Sequence, residues 1–198
     1  MIEVGNEYLA KQDSENGKIA AVIFQSTCEQ GFGFGCSSLG HMYANGLGVK
    51  QDGQKAIGFY KKACEGGNSL DEIKDTTGCF NLGVMYADGI GIKQDDFKAV
   101  EFYQKACSEK VIVGCNNLGM MYAMGRGVKQ DRFKAVELFK KVCDENNALG
   151  CCNLGLMYEK GYGIKQDKKM AKEYYGKACD LKDSNGCQNY ARLNEAGY

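Results

Sequence analysis

"CNNLGMMYAMGRGVKQDRFKAVELFKKVC", residues 115–143, begins and ends on cysteine, and the chain writes it three more times with small changes. The other copies are "CSSLGHMYANGLGVKQDGQKAIGFYKKAC" at 36–64, "CFNLGVMYADGIGIKQDDFKAVEFYQKAC" at 79–107 and "CCNLGLMYEKGYGIKQDKKMAKEYYGKAC" at 151–179. From Cys79 to Cys115 to Cys151 to Cys187 the step is always 36 residues. From Cys36 to Cys79 it is 43, because 7 residues are inserted within "EGGNSLDEIKDTTG" at 65–78. A fixed period of this length is the signature of stacked helical hairpins.

Within a copy, Cys79, Leu82, Gly83 and Tyr86 fall on one face of a helix turning 100° per residue. Glycine between the apolar residues lets a neighbouring helix come close. "DGIG" then breaks the helix, with Gly89 as its left-handed cap. Asp95 is suited to N-cap a second helix, as are Asp52, Asp131 and Asp167. That helix buries Ala99, Tyr103 and Ala106, at i, i+4 and i+7. Its equivalents are Ala56, Tyr60 and Ala63; Ala135, Phe139 and Val142; and Ala171, Tyr175 and Ala178.

The N-terminus fits the same template, with Gly5 and Tyr8 on a first helix and Ala20, Phe24 and Cys28 on a second. From Gly186 onward, "CQNYARLNEAG" reads as a lone first helix that covers the last exposed face. The expected architecture is one all-α α/α solenoid over 1–198. It has five helix pairs (about 1–28, 34–64, 77–107, 113–143 and 149–179) and a C-terminal capping helix at about 185–197.

Composition narrows the function. Twenty-five basic and 25 acidic side chains cancel, so no strong field invites nucleic acid or an anionic membrane. The apolar stretches are far too short to span a bilayer. Zero prolines and 27 glycines assign the turns to glycine, which suits a helical repeat.

Eleven cysteines are many for a reducing cytosol. Cys28 and Cys36, Cys107 and Cys115, Cys143 and Cys151, and Cys179 and Cys187 are each 8 apart, and Cys64 and Cys79 are 15 apart. Zinc sites favour C-x-x-C half-sites, and none occurs beside the single histidine, so no metal is expected. Five disulfides follow, with Cys152 left as a free thiol. Each joins the end of one hairpin to the start of the next and staples the turn between them. The expected location is secreted or periplasmic. The opening "MIEVGNEYLAKQDSENG" carries no signal peptide, which implies a mature form with Met1 as an added start.

The pattern C-x-N-L-G-x-M-Y-x-x-G-x-G-[VI]-K-Q-D-x-x-K-A…K-A-C resembles the Sel1-like repeat, a relative of the tetratricopeptide repeat. With its C-x7-C spacing it is similar to the Helicobacter cysteine-rich protein family. The resemblance implies a right-handed superhelix with a concave face, disulfide-locked and extracytoplasmic. It also implies penicillin binding or weak β-lactamase activity, and secreted proteins that meet host cells.

The residues themselves do not supply that chemistry. A serine β-lactamase needs lysine three residues after its nucleophile. Ser14, Ser26, Ser37, Ser38, Ser69, Ser108 and Ser184 all lack it, and K-T-G is absent. A zinc lactamase needs several histidines; His41 stands alone, three repeats from Cys152. "GLG", "GIG", "GRG" and "GYG" follow no strand and read as capping turns rather than phosphate loops. The Met–Tyr pairs, such as Met121–Tyr122, read as core, and no cofactor is expected.

One feature points to binding. About 150° from the core face, the first helices carry Phe80, Asn81, Val84, Ala87 and Asp88. The next copy has Asn116, Asn117, Met120 and Met124, and the last has Cys152, Asn153, Leu156 and Glu159. Asparagine recurs as Asn81, Asn117, Asn153 and Asn189, with Ser38 in the first place. A column of amides offers donor and acceptor to the main chain of an extended peptide. In tetratricopeptide relatives a similar ladder binds peptide. The varied positions, with Phe80, Met120, Leu156 and His41 among them, would choose the sequence. The alternative is that each amide bonds its neighbouring repeat and sets the pitch. The leading expectation is a module that holds a peptide or protein segment (a host or envelope protein, or a cell-wall-derived ligand) in its groove. A β-lactam-recognising protein and a structural envelope adaptor are the alternatives.

Overall fold

The computed structural model describes residues 15–66 and 74–198. The first helix expected around Gly5 and Tyr8, and residues 67–73 of the longer segment at 65–78, lie outside these. The described residues form ten α-helices and no strand. The chain divides into two compact units, residues 1–109 and 110–198.

The first unit holds α1 (Glu15–Glu29), α2 (Gly33–Asn45), α3 (Gly53–Glu65), α4 (Thr77–Asp88) and α5 (Asp96–Ser108). Each packs on the next along the chain, and α2 also touches α4. The second unit repeats the plan with α6 (Ile112–Met124), α7 (Arg132–Asp144), α8 (Ala148–Lys160), α9 (Lys168–Asp180) and α10 (Ser184–Glu195). Again neighbours pack in order, with α8 also meeting α10. Contacts confined to successive helices and to successive hairpins are what a solenoid requires.

The local signals behave as expected. Asp52, Asp95, Asp131 and Asp167 each accept a backbone N–H from the first turn of the helix they cap. Gly89 ends α4 at φ 69°, and Gly46, Gly125 and Gly161 end α2, α6 and α8 in the same left-handed state. The second-helix core is buried as expected: Ala99, Tyr103 and Ala106 in α5, and Ala171, Tyr175 and Ala178 in α9. Ala20, Phe24 and Cys28 of α1 are buried too.

The glycine of the first helix is a contact residue. A Cβ at Gly83 would stand 2.5 Å from the Tyr103 ring, so only glycine lets that ring lie against the α4 backbone. Gly40, Gly119 and Gly155 meet Tyr60, Phe139 and Tyr175 in the same way.

The Met–Tyr pairs divide differently from the expectation. Met42, Met85, Met121 and Met157 are buried, whereas their tyrosines are only half-buried. Tyr86 is half-buried and stacks on Phe102 at 5.6 Å, with Lys98 Nζ 5.0 Å from its ring; its equivalents Tyr43, Tyr122 and Tyr158 pack against the core. Tyr43 and Tyr158 stack likewise on Phe59 and Tyr174. The phenol keeps its hydroxyl toward water at the rim, and the flexible thioether fills the interior.

Disulfides link Cys28 to Cys36, Cys64 to Cys79, Cys143 to Cys151 and Cys179 to Cys187, with Cα separations of 4.4–4.6 Å. Cys107 and Cys115 are disulfide-bonded as well. Cys152 is the free thiol. It is half-buried, and burial, followed by the carboxylate of Asp183, pushes it up to about 11. A thiol so rarely ionised at neutral pH is a poor nucleophile. In denaturant that burial is lost, and with the other ten cysteines bonded, alkylation of unreduced protein should mark one cysteine, Cys152. Mass spectrometry finding several marked cysteines would undo the disulfide scheme.

Candidate functional site

In the first unit, α2 carries Ser38 and His41, and α4 carries Phe80 and Asn81. Ser38, Phe80 and Asn81 are half-buried and His41 is exposed. The Phe80 ring lies 6.1 Å from that of Tyr103. His41 Nδ1 lies 3.2 Å from Asn45 Nδ2 in the next turn of its own helix.

In the second unit, Asn117, Asn153 and Asn189 take the same place on α6, α8 and α10, and all are half-buried. Asn153 Nδ2 donates to Asn116 Oδ1 at 2.9 Å, an amide-to-amide hydrogen bond from one hairpin to the preceding one. Asn189 Oδ1 accepts from Arg192 at 3.2 Å. Apolar side chains flank the column: Met120 is half-buried, while Met124 and Leu156 are 56% and 42% exposed.

Three residues expected on this open face are instead buried: Ala87, Asn116 and Glu159. Asn116 turns inward to serve Asn153. Glu159, 8% exposed, accepts from Tyr175 Oη at 2.9 Å and from Arg192 at 2.8 Å. Burial alone would raise its carboxyl, but the hydrogen bonds from Arg192 and Tyr175 hold it below the usual range. The other three copies have alanine here, at Ala44, Ala87 and Ala123. Glutamate at this single copy ties the final helix, α10, to α8 and α9. That change of residue type within an otherwise regular column was the available signal.

Among the described residues, no group of three or more histidine, cysteine or acidic side chains is arranged to hold a metal ion. No described helix is long and apolar enough to cross a membrane.

Hairpins stacked in order, stapled by sulfur and presenting one polar column per unit, define a helical-repeat solenoid. The Sel1 repeat model matches residues 34–68, 76–110, 112–147 and 148–183, and the chain belongs to that family. It is a cysteine-rich, Sel1-like repeat protein, and such repeats are protein-interaction modules.

Among solved structures, the chain is similar to a protective antigen of uropathogenic Escherichia coli displaying an SLR fold. The two share 27% identity at a TM-score of 0.82, over 99% of this chain and 41% of the antigen. It is also similar to Helicobacter pylori cysteine rich protein B, at 34% identity over 71% of this chain and 96% of that protein, TM-score 0.53. A Sel1 repeat protein of Oxalobacter formigenes shares the fold at 24% identity and a TM-score of 0.77, over 92% of this chain and 70% of that one. Comparison with curated proteins found no match.

Proposed function

We propose that this protein is an extracytoplasmic interaction module that grips an extended peptide or protein segment along its first-helix face. The amide of Asn153 carries the reading. One of its N–H groups is spent on Asn116, which fixes the amide plane while leaving the second N–H and the carbonyl oxygen for a guest. Asn117 and Asn189 offer amides at the same repeat position, and the half-exposed Met124 and Leu156 supply apolar contact beside them. A pre-oriented amide costs little to order on binding, and backbone recognition of this kind tolerates many sequences. The disulfides support an oxidising compartment, outside the cytosol.

The double variant Asn117→Ala, Asn153→Ala tests the reading. Each lost hydrogen bond is worth about 0.5–1.5 kcal/mol, so affinity for a groove peptide should fall by about 5- to 150-fold. Calorimetric titration against peptides selected from a random library measures it, alongside thermal unfolding. An earlier melt with unchanged affinity would reduce the column to a spacer between repeats.

A further inference from the structure

The turn inside each hairpin reads [VI]-K-Q-D, and three of its four residues have structural work. The apolar residue packs, and aspartate caps the next helix. Glutamine closes the turn: Gln51, Gln130 and Gln166 donate to the carbonyls of Ala44, Ala123 and Glu159. The lysine has no such task. Lys50, Lys93, Lys129 and Lys165 recur at one repeat position, all exposed.

In the second unit this turn borders a cleft of about 820 Å³, closed on its far side by the glycine turn of the following hairpin. Lys129, Arg132, Lys134 and Lys165 line it together with Tyr122 and Phe133. Its one carboxylate, Asp131, is already committed to the Lys134 backbone N–H at 3.0 Å. Lys134 Nζ lies 5.2 Å from the Tyr122 ring centre and 4.0 Å from Asp131. The Arg132 guanidinium lies 4.2 Å from the Tyr162 ring centre. Stacking occupies one face of the guanidinium and leaves its N–H edge for a bidentate carboxylate. Among the described residues, no ion pair involves Lys129, Arg132 or Lys165.

Between these cations Phe133 projects into solvent, 73% exposed. The first unit has the same cleft at about 630 Å³, with Lys50 and Lys55, but Gly53 and Gln54 stand where the second has Arg132 and Phe133. Relative to that cleft, the second unit's adds a forked cation and an aromatic ring on a shared frame; elsewhere in the first unit, Phe97 is an equally exposed ring but follows Asp96 rather than an arginine.

We infer that this cleft docks an acidic peptide segment carrying an apolar side chain, with carboxylates at Arg132, Lys129 and Lys165 and the apolar group on Phe133. The volume lies within the range of ligand sites. A bare polyanion uses cations alone and gains nothing from an exposed phenyl ring. The chain as a whole is neutral, so attraction for an acidic segment comes from local clusters such as this one, where charge complementarity speeds encounter and sets register. The site lies on the hairpin turns, apart from the asparagine column, and stands or falls separately from it.

Fluorescence anisotropy with a labelled peptide of about eight alternating glutamate and leucine residues tests the inference. Lys129→Glu with Lys165→Glu is expected to weaken binding at least about tenfold, and Phe133→Ser by about tenfold. All three side chains are exposed, and matching thermal unfolding confirms intact folds. Asn117→Ala with Asn153→Ala is measured alongside, to separate binding in the cleft from binding on the asparagine column. Three results overturn the inference. They are parental affinity in the charge-reversed variant, a Phe133→Ser variant that binds normally while heparin outcompetes the peptide, or loss confined to the asparagine variant. The last would move the peptide to the groove and leave that reading standing.

Discussion

Excess dithiothreitol is expected to abolish the cooperative thermal transition of this protein, and N-ethylmaleimide trapping should keep it from recovering. Bridges 8 residues apart close short loops, and the chain-entropy estimate gives each about 2.5 kcal/mol. The Cys64–Cys79 bridge closes a longer loop and contributes about 3 kcal/mol by the same estimate. With Cys107 and Cys115 also bonded, the five sum to roughly 13 kcal/mol. That is as large as the entire stability of a typical domain, about 5–15 kcal/mol. A solenoid has only the contacts between adjacent repeats to fall back on once the turns open. Circular dichroism at rising temperature, with and without reductant, measures the effect. An unchanged midpoint after full reduction would make helix packing sufficient and weaken the case for an oxidising compartment. Losing a single bridge, as in Cys143→Ala with Cys151→Ala, should cost only about 2.5 kcal/mol and loosen the α7–α8 turn.

Much of this fold was legible because each hairpin repeats its own punctuation. Asp95, Gly89 and the Cys143–Cys151 spacing each announce one geometric event, and each event occurs where announced. The core of the first helix was half-legible. Helical spacing put Tyr86 on the apolar face, where it is half-buried and stacked on Phe102, but it did not single out Met85 as the residue that fills the interior. The candidate site was read less completely for a similar reason. A helical wheel assigned Asn116 and Glu159 to the open face, but their partners, Asn153, Tyr175 and Arg192, come from other helices. No single-helix pattern contains them. The basic clefts went unread because their residues straddle two turns some thirty positions apart, and the net charge of zero concealed them.

The same substitution, glycine to alanine, should have opposite consequences at two sites in this chain, and the difference measures how tightly the hairpins are stacked. Gly163 holds φ at 69°, and a Cβ there would fall 2.4 Å from the Arg132 carbonyl carbon and oxygen. Neither atom can step aside, since both belong to the backbone at the start of α7. Left-handed backbone costs an alanine about 1–2 kcal/mol, and overpacking a rigid contact adds about 1–3 kcal/mol more. Gly163→Ala should therefore cost about 2–5 kcal/mol. Gly163 also forms the far wall of the basic cleft, so the displaced turn should weaken acidic-peptide binding as well. Gly58 is the control: it lies inside α3, with nothing within 4 Å of an added Cβ. Gly58→Ala should stabilise by about 0.4–1 kcal/mol, because alanine lowers the entropy of the unfolded chain and fits a helix interior. Urea unfolding of both variants supplies the comparison. Equal effects would mean that the Gly163 turn relaxes freely, and that the hairpins of the second unit are not held by backbone-to-backbone contact.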